Sequence, residues 1–222
     1  MNAAPRITEE GRLTGVPFAS FRASPHFDAR PEGGAGEVTL AVIHYISLPA
    51  GRFGGEAVDR LFAGTLGAWL DEAPDDPGRR PLEELRGLRV SAHFFVRRTG
   101  EVIQYVDTVR RAWHAGLSNF RGRSACNDFS VGIELEGTGE VPFEDAQYAS
   151  LEVLLKALVK RHPIRAVTGH EFIAPGRKAD PGPHFDWRRL EAMLPEGVER
   201  ATSPGDCDRA ALAERMRALG FS

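Results

Sequence analysis

Val38-Thr39-Leu40-Ala41-Val42-Ile43-His44-Tyr45-Ile46 is the stretch from which the architecture can be read: an apolar, β-branched run that carries one histidine, His44. Apolar residues at consecutive positions suit a strand covered on both faces, whereas a half-exposed strand would alternate. A buried central strand ending near His44 is therefore expected.

Working outward, Glu56 to Trp69 places Val58, Leu61, Phe62, Leu66 and Trp69 at spacings of three and four. That spacing predicts a helix with one face laid on the sheet. Asp71 to Pro81, DEAPDDPGRRP, is acidic, proline-rich and aperiodic, as a surface loop is. Ser91 to Val96 and Glu101 to Val106 are strand-like and flank Arg97-Arg98-Thr99-Gly100, whose glycine can supply the positive φ of a tight hairpin. Phe129 to Leu135 is a further strand. Asp145 to Arg161 sets Tyr148, Leu151, Leu154, Leu155, Leu158 and Val159 on one helical face, and Pro163 stops it. A short strand follows at Arg165 to Thr168.

Gly169 to Phe185 is rich in proline and glycine, too irregular for an element and long for an idle connection. Ordered loops of that kind are often functional. Trp187, Leu190 and Leu194 mark a short helix, and Asp208 to Leu219 another, with Leu212, Met216 and Leu219 as its apolar stripe. Upstream, residues 16 to 36 read as an irregular entry segment. Strands alternating with helices, plus one hairpin, imply an α/β fold: a single domain with a central mixed β-sheet flanked by helices, its sites where loops leave strand ends. The expected divisions are an N-terminal extension over 1–23, the domain over 24–195 and a C-terminal helical appendage over 196–222.

The 222 residues carry 28 Lys+Arg against 31 Asp+Glu, a net charge of −3, which gives no electrostatic reason to expect nucleic acid or an anionic membrane as partner. Met1 to Gly15 lacks the apolar stretch of a signal peptide, and no later run is long enough to span a membrane, so a cytoplasmic protein is expected. Cys126 and Cys207 lie far apart with no CxxC partner, which argues against a disulfide framework or a cysteine metal site.

Several familiar sites fail on reading. GRSAC at Gly122 is not a G-x-S-x-G elbow, GAGEVT at Gly34 is not G-x-G-x-x-G, and no G-x-x-x-x-G-K occurs. His170-Glu171 begins like H-E-x-x-H, but Ala174 stands where the second histidine belongs. What remains is His44, His170 and Asp180, two imidazoles and a carboxylate of the kind a catalytic zinc takes while leaving its fourth position to water; equally, each histidine can be a satisfied polar group at a strand end. Glu134 and Glu136 share one face of their strand, so either can serve a metal-bound water as base, or both can be solvated charges. Arg177 and Lys178 bring cations close to Asp180, and Trp113 can stack on a sugar or fill core.

The stretches VIHYISLP from Val42, GRFGG from Gly51, LRVSAHFFVRRTGEVIQYV from Leu88, RAWHAG from Arg111, CNDFSVGIELEG from Cys126 and TGHEFIAPGRKADPGPHFDW from Thr168 resemble the zinc-dependent N-acetylmuramoyl-L-alanine amidases, most closely the cytoplasmic AmpD type. In the family's order they cover about Ser24 to Trp187. The resemblance implies the amidase and peptidoglycan recognition protein fold, with Zn2+ held by His44, His170 and Asp180. It further implies Glu134 rather than Glu136 as the catalytic carboxylate, Lys178 as the cation beside the reacting carbonyl, and Trp113 and Arg89 at the substrate site. The implied substrate is a small muropeptide, cut between the (1,6-anhydro-)muramoyl sugar and L-alanine during cell-wall recycling. Arg89, Arg121 and Arg123 are then available to anchor the carboxylates of the stem peptide. The rival readings are a muropeptide-binding protein without catalysis and an amidase acting on intact peptidoglycan. Two positions depart from the family pattern: Tyr45 stands where Asn is frequent, and Ala125 where Arg is frequent.

Overall fold

The computed structural model describes residues 4–218. Short strands open the chain: β1 (Arg6–Ile7), β2 (Leu13–Thr14), β3 (Ala19–Phe21) and β4 (Phe27–Ala29), followed by the long strand β5 (Leu40–Ile46). Helices α1 (Ala57–Phe62) and α2 (Leu66–Asp71) precede the hairpin of β6 (Phe94–Val96) and β7 (Val102–Gln104). Next come β8 (Arg110–Ala112), β9 (Asn119–Phe120), β10 (Arg123–Ser124), β11 (Ser130–Glu136) and helix α3 (Asp145–Arg161). The remainder is β12 (Ala166–Gly169), α4 (His170–Ile173), α5 (Trp187–Met193), β13 (Glu199–Arg200) and α6 (Arg209–Ala218).

The central sheet has seven strands in the order β13-β12-β5-β11-β6-β7-β3, mixed in direction because β6 and β7 alone pair antiparallel within it. The expected buried strand, β5, lies in its middle, flanked on both sides by parallel neighbours. Side chains alternate across β5 and β11. Ala41, Ile43, Val131, Ile133 and Leu135 share one apolar cluster with Leu151, Leu154, Leu155 and Leu158 of α3. Leu40, Val42, His44, Gly132 and Glu134 therefore face the other way. Helix α3 matches its expected bounds, and its start is pinned by chemistry: Gln147 accepts from the Glu144 backbone N–H at 3.0 Å and donates to the Val96 and Glu136 carbonyls at 3.2 and 3.0 Å. Truncating one of its fully buried leucines, such as Leu154, removes contacts worth about 2–5 kcal/mol.

The single helix expected over Glu56 to Trp69 is two. Gly64 sits at φ +69, and a Cβ there would lie 2.7 Å from the Pro25 ring, so the chain turns where periodicity alone would carry on. Within the loop from Gly169 to Phe185, one short helix, α4, begins at His170. The entry segment contributes β3 to one sheet edge and the C-terminal segment contributes β13 to the other, so hydrogen-bonded sheet extends beyond both ends of the 24–195 span. Leu219, which the sequence places at the end of the last helix, lies outside the described residues. Among the described residues no helix is long and apolar enough to cross a membrane.

Candidate metal centre

Parallel pairing places the first side chains. Glu134 on β11 is in register with His44 on β5, and Gly169 at the end of β12 is in register with Ile43, so His170 follows directly beside them. The site thus forms where three neighbouring strands end, the usual location in such sheets. Asp180 comes from the long loop, which folds back onto α4 through a hydrogen bond from the Glu171 N–H to the Asp180 carbonyl, 2.8 Å.

His44 Nδ1 lies 3.0 Å from His170 Nδ1 and 2.9 Å from Asp180 Oδ2, and His170 Nδ1 lies 3.1 Å from that same oxygen. The three ligand atoms form a nearly equilateral triangle. His170 Nε2 meets the Ala115 carbonyl at 3.1 Å; a carbonyl only accepts, so Nε2 carries the proton and Nδ1 is a bare lone pair in the neutral ring. Lone pairs and a carboxylate oxygen converging at such distances suit a shared proton or a cation placed among them. Two imidazole nitrogens and one carboxylate oxygen are a donor set that fits a divalent metal.

The electrostatics agree. Burial pushes the His44 imidazole down to about 4, and its neighbour His170 lowers it further, so at neutral pH it is uncharged and free to coordinate. Burial raises the Asp180 carboxyl; hydrogen bonds and positive charge from His170 and His44 hold it well below the usual range, a stabilisation that requires a proton or another cation between those nitrogens and the carboxylate. Glu134 is different. Burial, with Asp180 adding to it, pushes its carboxyl well above the usual value, and Lys178 only partly opposes the shift. Its Oε2 has no hydrogen-bond partner among the described residues.

These groups line a cavity of about 270 Å³ that also meets Trp113, His114 and Lys178. A second cavity of about 540 Å³, lined by Ser47, Gly51, Thr138 and Glu140, adjoins it through shared walls at Tyr45 and Ile46. Trp113 is neither free nor plain core: it is half-buried, stacks on His26 with ring centroids 6.0 Å apart, and leaves Nε1 unpaired among the described residues. Arg89 is exposed, its guanidinium carbon 5.5 Å from the centre of the Trp113 ring. The two cations before Asp180 separate. Arg177 donates to the Ala115 and Leu117 carbonyls at 2.7 Å each, while exposed Lys178 lines the cavity. Arg121 and Arg123 are engaged elsewhere, Arg121 with Glu199 and Asp206 and Arg123 with the Ala35 carbonyl.

Sequence reading overlooked His114. It stands next to Trp113, but its partner His44, whose Nε2 is 3.0 Å from His114 Nδ1, is 70 positions away, and spacing alone does not join them.

The fold is a mixed sheet with a group at the strand ends that could hold a metal, and the family comparison gives its class, an amidase. The N-acetylmuramoyl-L-alanine amidase family matches residues 34–183, and the chain belongs to that family. It is 47% identical over 191 residues to the 1,6-anhydro-N-acetylmuramyl-L-alanine amidase AmpD of Escherichia coli (strain K12), covering 85% of this chain and 97% of the relative. The crystal structure of a selenomethionine AmpD derivative superposes with a TM-score of 0.74 at 46% identity, covering 84% of this chain and 98% of that one. A complex of the amidase AmiD from E. coli with the substrate anhydro-N-acetylmuramic acid-L-Ala-D-γ-Glu-L-Lys superposes with a TM-score of 0.51 at 28% identity, covering 86% of this chain and 65% of that one.

Proposed function

We propose that this protein is a zinc amidase that hydrolyses the amide between a 1,6-anhydro-N-acetylmuramoyl group and the L-alanine of a small muropeptide. The observation that carries the reading is the convergence of His44, His170 and Asp180 at 2.9–3.1 Å beside the unpaired Oε2 of Glu134. The likeness to AmpD and to AmiD, the latter seen with an anhydromuropeptide, supports the substrate class.

His44, His170 and Asp180 hold the ion. When bound, Zn2+ supplies Lewis acidity, lowering the pKa of a coordinated water toward about 7 and polarising a carbonyl. Glu134 Oε2 takes the proton of the attacking water and later delivers it to the leaving L-alanine nitrogen, and the high proton affinity that burial gives it suits a group that must both take and return a proton. Lys178 Nζ offsets the negative charge that grows on the carbonyl oxygen in the tetrahedral transition state. Trp113, with its unpaired Nε1, and Arg89 beside it form a wall for the sugar or its substituents. The adjoining larger cavity provides room for the rest of the substrate, and Tyr45, where the family pattern often has Asn, shapes the passage between the two. The activity is assigned to the cytoplasm, a reducing setting that suits buried Cys126 and Cys207 in their thiol form.

Incubating zinc-loaded protein with anhydromuramoyl-tripeptide and following free tripeptide by mass spectrometry tests the reading. Release that stops on chelation and returns with zinc is the expected result; tight binding without release would make the protein a muropeptide receptor instead.

A further inference from the structure

The nitrogen of His44 that faces away from Asp180 is engaged by His114, a residue outside the metal-ligand group. A one-way chain of hydrogen bonds fixes the protons along it. The Cys126 carbonyl only accepts, so the Ser130 hydroxyl donates to it at 2.6 Å. That spends the one proton of Ser130, whose Oγ must then accept from His114 Nε2–H at 3.2 Å. Neutral His114 is left with a lone pair on Nδ1, which accepts from His44 Nε2–H at 3.0 Å. His44 Nδ1 is consequently bare and aimed at His170 Nδ1 and Asp180 Oδ2. His170 reaches the same state through the Ala115 carbonyl. Adjacent residues of one loop thus accept the outer N–H of both imidazoles.

The placement of that loop is built in. Asn127 Oδ1 accepts the backbone N–H of His114 at 3.1 Å and of Ala115 at 2.8 Å. Position 132 of β11 has to be glycine for the ring to fit, because a Cβ there would lie 2.4 Å from His114 Cγ and 2.6 Å from its Nδ1. We infer that His114, set by Ser130, Asn127 and Gly132, is a positioning residue that holds His44 in the Nε2–H tautomer needed for metal ligation through Nδ1. The inference rests on the zinc reading above. Outer partners of ligating imidazoles are commonly carboxylates, carbonyls or waters. A neutral imidazole in that role fixes tautomer and ring angle without adding negative charge to a centre that already holds Asp180, which keeps the bound cation electron-poor.

The test is zinc affinity of the full-length chain, measured by competition with a chromogenic chelator, together with histidine 1H–15N correlation spectra. His114→Ala is expected to bind zinc about 10–100-fold more weakly than the parent, with His44 losing its single Nε2–H signature. His114→Asn, whose amide oxygen falls near the Nδ1 position, should recover most of the affinity. Gly132→Ala, which touches no ligand, should weaken binding by displacing the ring. If His114→Ala fails to fold, Ser130→Ala decides, since it keeps the His114 ring and removes the acceptor that sets its proton, together with one hydrogen bond to the Cys126 carbonyl. Parental affinity in the folded variants, or a His44 ring protonated on Nδ1 in the parent, would overturn the inference while zinc binding by the parent and its loss in His44→Ala left the metal reading intact. A parent without zinc affinity would instead sink the metal reading itself.

Discussion

Two carboxylates two positions apart on β11, on the same face and both buried, sit in opposite circumstances. Glu136 is fully engaged: Oε1 accepts from the Gly54 N–H at 2.6 Å, Oε2 accepts from the Arg98 N–H at 3.0 Å, and Arg97 lies 3.6 Å away. Arg97 also pairs with Asp59, which in turn accepts from the Tyr105 hydroxyl and meets Arg22 at 2.9 Å. Glu134 has Oε2 unpaired, faces the cavity and is pushed toward its neutral form. The first cluster spends its polar atoms on one another and holds β6, β11 and α1 in place. The second leaves an acceptor over, the condition of a group whose partner is a substrate or a water. Buried polar atoms are normally paired, and Glu134 Oε2 is one of a few among the described residues that are not, which accords with the role proposed for it.

The contrast can be tested from its strongest consequence downward. His44→Ala should abolish metal binding and turnover together, seen as loss of zinc by elemental analysis with a cooperative melt retained; an active, metal-free variant would break the contrast at its root. Glu134→Gln should cost about 10²- to 10⁴-fold in turnover. It should leave zinc content unchanged and Tm equal or higher, because a buried acid without a partner is removed. Lys178→Met, on the exposed rim of the cavity, should lower kcat by about 10²- to 10³-fold if it meets the developing oxyanion, with little change in Tm. Glu136→Ala should do the reverse. Removing one member of a buried ion pair costs about 3–5 kcal/mol, roughly 6–20 °C in Tm for a chain of this size, while the folded fraction keeps its zinc and its turnover.

A further effect concerns acid. Burial pushes His162 down to about 4 and His93 well below its ordinary 6.5, so both are folded as neutral rings. The unfolded chain binds their protons as pH drops below 6.5, whereas folded His162 does so only near 4 and folded His93 only well below 6.5. Their contribution is complete above 6.5 and is lost as pH falls through that window. Melts of the zinc-free protein between neutral pH and about pH 4.5 should show a falling Tm, and a flat profile would show that these rings are not folded neutral.

Much of this arrangement is legible in the sequence where the signal is local and long. The run from Leu40 to Ile46 and the face of α3 from Asp145 to Arg161 carry their own periodicity, and the strand residues 134 and 136 alternate as read. Edge strands β3 and β13 span only 3 and 2 residues, too few for any period, so the sheet reaches farther than the sequence suggests. The turn at Gly64 is imposed by Pro25, distant in sequence, and a local periodicity does not contain it. The difference between Glu134 and Glu136 is invisible to alternation because both point the same way; it arises from backbone donors of Gly54 and Arg98 that reach only Glu136. His114 was hidden for the same reason, since its meaning depends on the register that lays Gly132 beneath its ring.

The most direct single measurement is the rate of tripeptide release from anhydromuramoyl-tripeptide by zinc-loaded Glu134→Gln and Glu136→Gln, assayed side by side with zinc content read on the same samples. A fall of at least about 10²-fold in the first variant at full zinc, with the second close to the parent in turnover and lower in Tm, is the expected result. Parental turnover in Glu134→Gln, or an equal loss in both variants, would contradict the assignment of chemistry to one carboxylate and structure to the other.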